Sequence, residues 1–174
     1  MEPRNPITKE QIQCALRERH SAGVQEKLDH ARVAVAGLGG LGSNVAFALA
    51  RIGVGHLHLI DFDRVDLANL NRQQYFLRHL GMYKTDALKE ELLQINPYLD
   101  IRTDCVRVTE GNLPELFAED PIVCEAFDSP EAKAMLVNGI LERFPRTFLV
   151  SASGMNRCRI WGANTAKQAT QQAE

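Results

Sequence analysis

The stretch RVAVAGLGGLGSNVAFALARIGV, Arg32 to Val54, constrains the fold more than any other part of the chain. A short apolar run rich in Val and Ala ends in glycines. An amphipathic segment begins in the same glycines, with Leu41, Val45, Leu49 and Ile52 on one helical face and Gly53 as its stop. Gly37, Gly39 and Gly42 fit G-x-G-x-x-G, and Gly40 is a fourth position without a side chain. Such a loop turns tightly after a strand and aims backbone N–H groups and a helix N-terminus at an anion. The same spacing also serves a turn that only packs helix on strand, but the flanking patterns favour a nucleotide.

The rest of the chain repeats the alternation. HLHLID reads as a second strand and KTDALKEELLQIN as an amphipathic helix closed by Asn96-Pro97. DIRTDCVRV alternates as a strand, NLPELF is a short helix, and PIVCEAF is a buried strand. SPEAKAMLVNGILERF is a helix with Pro130 in its first turn, and TFLVSAS is the last strand. Residues 7 to 30 read as two short helices broken near Ser21-Ala22-Gly23. These elements predict an α/β, Rossmann-like, mostly parallel sheet with helices on both faces, preceded by short N-terminal helices. The expected units are an N-terminal helical segment (1–31), an ATP-binding Rossmann-like domain (32–155) and a poorly ordered tail (156–174). The sheet is expected to stop near Ser153, because apolar periodicity fails after Met155.

Composition narrows the function classes. The 174 residues are 45% hydrophobic and 24% charged, with a formal net charge of -2. That balance favours neither nucleic acid nor a membrane as main partner. The N-terminus lacks an apolar signal segment and no run approaches a membrane span, so a cytoplasmic location is expected. Cys14, Cys105, Cys124 and Cys158 lie far apart, so zinc is not expected. Cys105 and Cys124 sit in apolar runs and read as buried thiols.

The glycine loop alone does not separate a dinucleotide from ATP. Asp61 ends the second strand, where a carboxylate would hydrogen-bond ribose hydroxyls. The segment that Asp61 opens, DFDRVDLANLNRQQYF, is far longer and more polar than a turn into the next helix requires. Read with GLGGLGS, GMYK, INPYL and AFDSPEAK, in that order, it resembles the ThiF/MoeB/HesA family, bacterial relatives of ubiquitin-activating enzymes, over roughly residues 32 to 154. The ThiF-like sulfur carrier adenylyltransferases are the branch it looks most like.

That resemblance implies ATP-dependent adenylylation of the C-terminal Gly-Gly carboxylate of a small ubiquitin-like sulfur carrier, with release of pyrophosphate, for thiamine thiazole or related sulfur-transfer biosynthesis. A sulfur donor enzyme and a homodimer are implied as partners. Arg72 and Lys84 match the family's phosphate-contacting Arg and Lys, and both side chains are expected to be exposed without nucleotide. Asp128 matches the Mg²⁺-associated aspartate, Asp61 the ribose acid, and Asn69 a polar position near the triphosphate. The chemistry fits: carboxylate and ATP are both anions, so cations must offset their repulsion and the charge on the leaving pyrophosphate. Asp63 and Asp66 read as turn and cap residues, Gln73 as ordering the loop, and Glu125 as a strand-end acid held by backbone N–H groups.

The family's N-terminal R-Y-x-R-Q segment, whose Arg reaches a partner subunit's ATP, has no counterpart. Arg17 and Arg19 are the nearest candidates. The paired Cys-x-x-Cys zinc ligands and a carrier-docking C-terminal half are likewise without counterparts. Three other readings stay open: an NAD-dependent oxidoreductase, which leaves Asn69, Arg72, Lys84 and Asp128 without a task; a catalytically incomplete nucleotide- or carrier-binding module; and, inside the family, activation of a tRNA-bound carboxyl group, against which the modest net charge counts.

Overall fold

The computed structural model describes residues 7–20, 23–153 and 157–161, with backbone alone at 153 and 157–161. Two short helices come first, α1 (Lys9–Arg17) and α2 (Val24–His30). Thr8 caps α1 through a reciprocal pair, the Gln11 N–H on Thr8 Oγ1 and the Thr8 N–H on Gln11 Oε1, which satisfies two donors the helix start would leave free. The alternating unit comes next: β1 (Arg32–Ala36), α3 (Gly40–Ile52), β2 (His56–Ile60), α4 (Lys84–Ile95), β3 (Asp100–Asp104), α5 (Leu113–Leu116), β4 (Ile122–Glu125), α6 (Pro130–Arg143), β5 (Phe148–Ser153) and β6 (Arg157–Trp161).

Five strands run parallel in the order β3-β2-β1-β4-β5. The central strand shows why the sequence demands helices on both faces. Val33 and Val35 pack into a layer with Ala46 and Ala50 of α3 and Leu88 and Leu92 of α4. Ala34 and Ala36 pack into a second layer with Leu113 and Leu116 of α5 and Leu136 and Ile140 of α6. Each fully buried Leu in these layers adds about 1.5–3 kcal/mol of transfer free energy, so neither face can be left open to water. Gly53 ends α3 in the left-handed region at φ 87°, as its position after the last apolar residue predicts.

One histidine interrupts the apolar pattern of β2. His58 is buried, and its ring nitrogens meet Asp120 Oδ2 at 2.6 Å and Asp104 Oδ2 at 2.7 Å. The polar ring is satisfied, and it ties β2 to the end of β3 and to the turn before β4.

Three expectations need correction. The sheet does not stop at Ser153: β6 pairs antiparallel with β5, Leu149 opposite Trp161 through Ser153 opposite Arg157. A polar segment without helical period can still supply the backbone donors and acceptors that an edge strand leaves open, and that pairing leaves no apolar signature to read. Residues 162–174 of the expected tail lie outside the described residues. The third strand ends at Asp104, where the side chain turns to His58 and Arg102, instead of running on to Val108. Cys105 therefore lies past the sheet and is exposed, and Cys124 is half-buried.

Candidate nucleotide site

The strand order reverses at β1, with β2 on one side and β4 on the other. Ligands of open α/β sheets bind at the carboxyl ends of the strands at such a point. The register aligns those ends, because Ala36 faces both Ile60 and Glu125. Two hydrogen bonds carry the alignment one residue further: Gly37 N–H donates to Ile60 O at 2.9 Å, and Ala126 N–H to Ala36 O at 2.8 Å. The glycine loop, Asp61 and the Ala126–Asp128 turn thus leave the sheet side by side.

Two glycines are obligatory. Gly37 has φ 91°, and a Cβ there would sit 2.8 Å from the Ala126 carbonyl oxygen. A Cβ on Gly42 would sit 1.8 Å from the Gly37 carbonyl oxygen. Gly40 is a cradle of a different kind: the Arg72 side chain lies over it, its Cγ 3.2 Å from where a Cβ would stand. Gly39 opens α3 with no side-chain cap, so the helix start offers its N–H groups outward.

Asp61 is buried, 7% exposed, and holds this loop. Its Oδ2 accepts the Leu38 N–H at 2.7 Å, and its Oδ1 accepts the Asp63 N–H at 2.8 Å. A carboxylate has about four acceptor sites, so both oxygens can still meet a ribose hydroxyl. Tyr75 closes the floor by donating its hydroxyl to Leu38 O at 2.8 Å. Burial, and then the nearby Asp61 charge, push the Tyr75 phenol above its ordinary range, so it stays a neutral donor.

The long polar segment after β2 folds back on itself. Val65 N–H donates to Met82 O, Gly81 N–H to Val65 O, and Lys84 N–H to Asp63 O, and Arg64 and Tyr83 form an antiparallel bridge. This closure delivers Lys84, the first residue of α4, to the end of β2. Lys84 Nζ donates to Asp63 Oδ2 at 3.0 Å. Lys84 is 5% exposed, so the expectation of an exposed lysine is wrong. The closure covers its stem, and Asp63 supplies the counter-charge that a buried ammonium requires. Asp63 is thus more than a turn residue. Sequence reasoning missed its role because backbone closure brings together two residues 21 apart in the chain. Asp66 does act as a cap, accepting the Ala68 N–H at 2.8 Å.

Arg72 is exposed, as expected. Its Nη2 donates to Asn69 Oδ1 and its Nη1 to Asn71 Oδ1, both at 3.2 Å. Asn69 thus orients the guanidinium. Gln73 is buried, and its Oε1 has no partner among the described residues.

Asp128 is exposed beyond β4, and its carboxylate has no hydrogen-bond partner among the described residues. No group of three or more His, Cys, Asp or Glu among the described residues could hold a metal by itself. One free carboxylate at the carboxyl end of the sheet would nevertheless suit Mg²⁺, which usually takes one or two carboxylates and completes its shell with water and phosphate oxygens. Glu125 differs from expectation. It is 2% exposed and accepts not only the Phe127 N–H at 2.7 Å but also Lys133 Nζ at 2.6 Å and the Ser151 hydroxyl. It locks β4, β5 and α6 together beneath Asp128.

The glycine loop, the strand-end Asp61 and the two cations Arg72 and Lys84 stand at one end of the sheet, and the chain as a whole is similar to known proteins. Residues 9–169 match the ThiF family. The chain belongs to the ThiF family. It is 37% identical over 132 residues to the adenylyltransferase and sulfurtransferase UBA4 of Eremothecium gossypii, covering 75% of this chain and 29% of that protein. It is 40% identical over 113 residues to the molybdopterin-synthase adenylyltransferase of Haemophilus influenzae, covering 64% and 46%. Among solved structures, E. coli tRNA N6-threonylcarbamoyladenosine dehydratase, TcdA, in complex with ATP superposes with a TM-score of 0.78 at 30% identity, covering 86% of this chain and 63% of that one. The ThiF-family chain thus spans between about a third and about two thirds of the length of these relatives. Among its described residues no helix is long and apolar enough to cross a membrane.

Proposed function

We propose that this chain is the nucleotide-binding part of an adenylyltransferase that joins the C-terminal Gly-Gly carboxylate of a small ubiquitin-like sulfur carrier to AMP and releases pyrophosphate. One observation carries the reading: Arg72 lies over Gly40 of the glycine loop and Lys84 pairs with Asp63, whose N–H is held by Asp61, a cation pair that a nicotinamide dinucleotide does not call for. The naming of the UBA4 and molybdopterin-synthase relatives as adenylyltransferases, and the ATP complex of TcdA, support it.

Each group has a role. The Gly37–Gly42 loop and the start of α3 take the phosphates, and Asp61 takes the ribose hydroxyls. Arg72 grips phosphate with its planar fork, and Lys84 adds a point charge. Together they offset the repulsion between carboxylate and triphosphate as the acyl–phosphate bond forms and the bond to pyrophosphate breaks. Asp128 holds Mg²⁺. When bound, the ion neutralises charge on the phosphate oxygens. Thiamine thiazole synthesis, with a ThiS-like carrier and a sulfur donor enzyme, is the pathway the family resemblance favours. A cytoplasmic homodimer is the working assembly, with exposed Phe76, Leu77 and Leu80 on one turn as candidates for burial between copies.

The TcdA likeness favours one second reading, activation of a carboxyl group on tRNA. The net charge of -2 weighs against it, since tRNA binding rests on cations that neutralise phosphates.

Calorimetric titration tests the nucleotide. Mg-ATP is expected to bind and NAD is not, and Asp128→Asn is expected to remove most of the magnesium dependence. Tight NAD binding without ATP binding would return the chain to the oxidoreductase reading.

A further inference from the structure

We propose that Asn44 is the positioning residue for Arg72; the inference rests on the nucleotide reading above. Asn44 stands on the exposed face of α3, in its second turn. Its Nδ2 donates to Gly40 O at 2.6 Å and to Arg72 O at 3.2 Å, and its Oδ1 accepts Gln74 Nε2 at 2.6 Å. Both carboxamide hydrogens and the oxygen are therefore engaged within the protein, so Asn44 has no donor left for a ligand. It acts on the loop, and through it on Arg72.

An asparagine inside a helix often only bonds back to the carbonyl four residues earlier. Asn44 does that at Gly40 and also reaches across to the backbone of residue 72 and the side chain of residue 74. Its neighbour Ser43 repeats the bridge, donating to Gly39 O at 2.6 Å and accepting the Gln74 N–H at 3.2 Å. Two adjacent side chains of α3 thus fasten the glycine loop to the segment carrying the guanidinium, and the missing side chain at Gly40 leaves the slot in which the Arg72 stem lies. Asn69 and Asn71 orient the far end of Arg72, and Asn44 fixes its backbone. An arginine on a long loop loses much of its conformational entropy on gripping phosphate, and prior anchoring lowers that loss.

The test is a double-mutant cycle on the full chain, with Mg-ATP and AMP as calorimetric probes and thermal unfolding as control. Asn44→Ala is expected to weaken ATP binding about 3- to 10-fold, the size of one or two neutral hydrogen bonds. The ATP-to-AMP affinity ratio falls, and the melting temperature stays nearly constant. In an Arg72→Ala background the same change has no further effect on ATP. Asn44→Asp, which keeps the size but loses both donors and adds a negative charge, weakens ATP binding at least as much as Asn44→Ala. Additive losses in the double variant, equal losses for ATP and AMP, or failure of both Asn44 variants to fold would overturn the role of Asn44 alone. A wild-type chain that does not bind ATP would overturn the nucleotide reading, and this inference with it.

Discussion

Arg72→Ala is expected to slow acyl-adenylate formation by about 10²-fold or more, the cost of losing one preorganised charge-stabilising group, while the melting temperature barely moves. The side chain is exposed, and its partners are the carboxamides of Asn69 and Asn71, which water can satisfy in its place. Lys84→Ala is expected to slow the same step to a similar extent but also to lower the melting temperature. Lys84 is buried, and it ties the start of α4 to Asp63 at the end of β2. Asp63 is half-exposed, so part of that pair's energy is screened by solvent. Single-turnover adenylate formation and thermal unfolding of both variants check the pair of effects. Normal rates with Arg72→Ala would remove it from the chemistry. An unchanged melting temperature with Lys84→Ala would show that its burial is not structural.

Gly42→Ala is expected to give the largest loss of stability of any single methyl group added to the site, about 3 kcal/mol or more, at or above the upper end of the usual cost of overpacking. The new Cβ would stand 1.8 Å from the Gly37 carbonyl oxygen. A backbone oxygen has no rotamer by which to move aside, and Gly37 is itself fixed against Ala126. Relief requires α3 to shift away from β1, which opens the packing of Ala46 and Ala50 against Val33 and Val35. Gly39→Ala is the control: its Cβ would meet nothing closer than the Gln73 amide at 3.9 Å. Chemical denaturation of the two variants measures the difference. Equal stabilities would show that the loop repacks freely and that G-x-G-x-x-G is not sterically required here.

The sheet was legible because its signals are local. Val33 to Ala36 is apolar on both faces, Leu41 to Ile52 repeats at helical spacing, and Gly53 and Pro130 mark ends. The positions of Arg72 and Lys84 were legible as a motif. Their environments were not. The burial of Lys84 and its pairing with Asp63 arise from the antiparallel closure of residues 63–65 on 81–84, made by main-chain groups with no period in the side chains. The role of Asn44 was hidden for the same reason, since its partners at Arg72 and Gln74 lie on another segment. His58 broke the strand pattern without showing why, because Asp104 and Asp120 reach it only across the folded sheet. The strand at Arg157–Trp161 escaped because an antiparallel edge needs backbone donors and acceptors more than apolar side chains.

Isotope exchange between pyrophosphate and ATP is the most direct test of adenylylation. The full chain is mixed with Mg-ATP and labelled pyrophosphate, alone, with small ubiquitin-like carriers ending in Gly-Gly, and with tRNA. Exchange that appears only with a carrier, and disappears when its terminal glycine is deleted, is the predicted result. Exchange with tRNA alone would move the substrate to the second reading. Saturable Mg-ATP binding with no exchange in any mixture would contradict adenylylation by this chain and leave it a nucleotide-binding module.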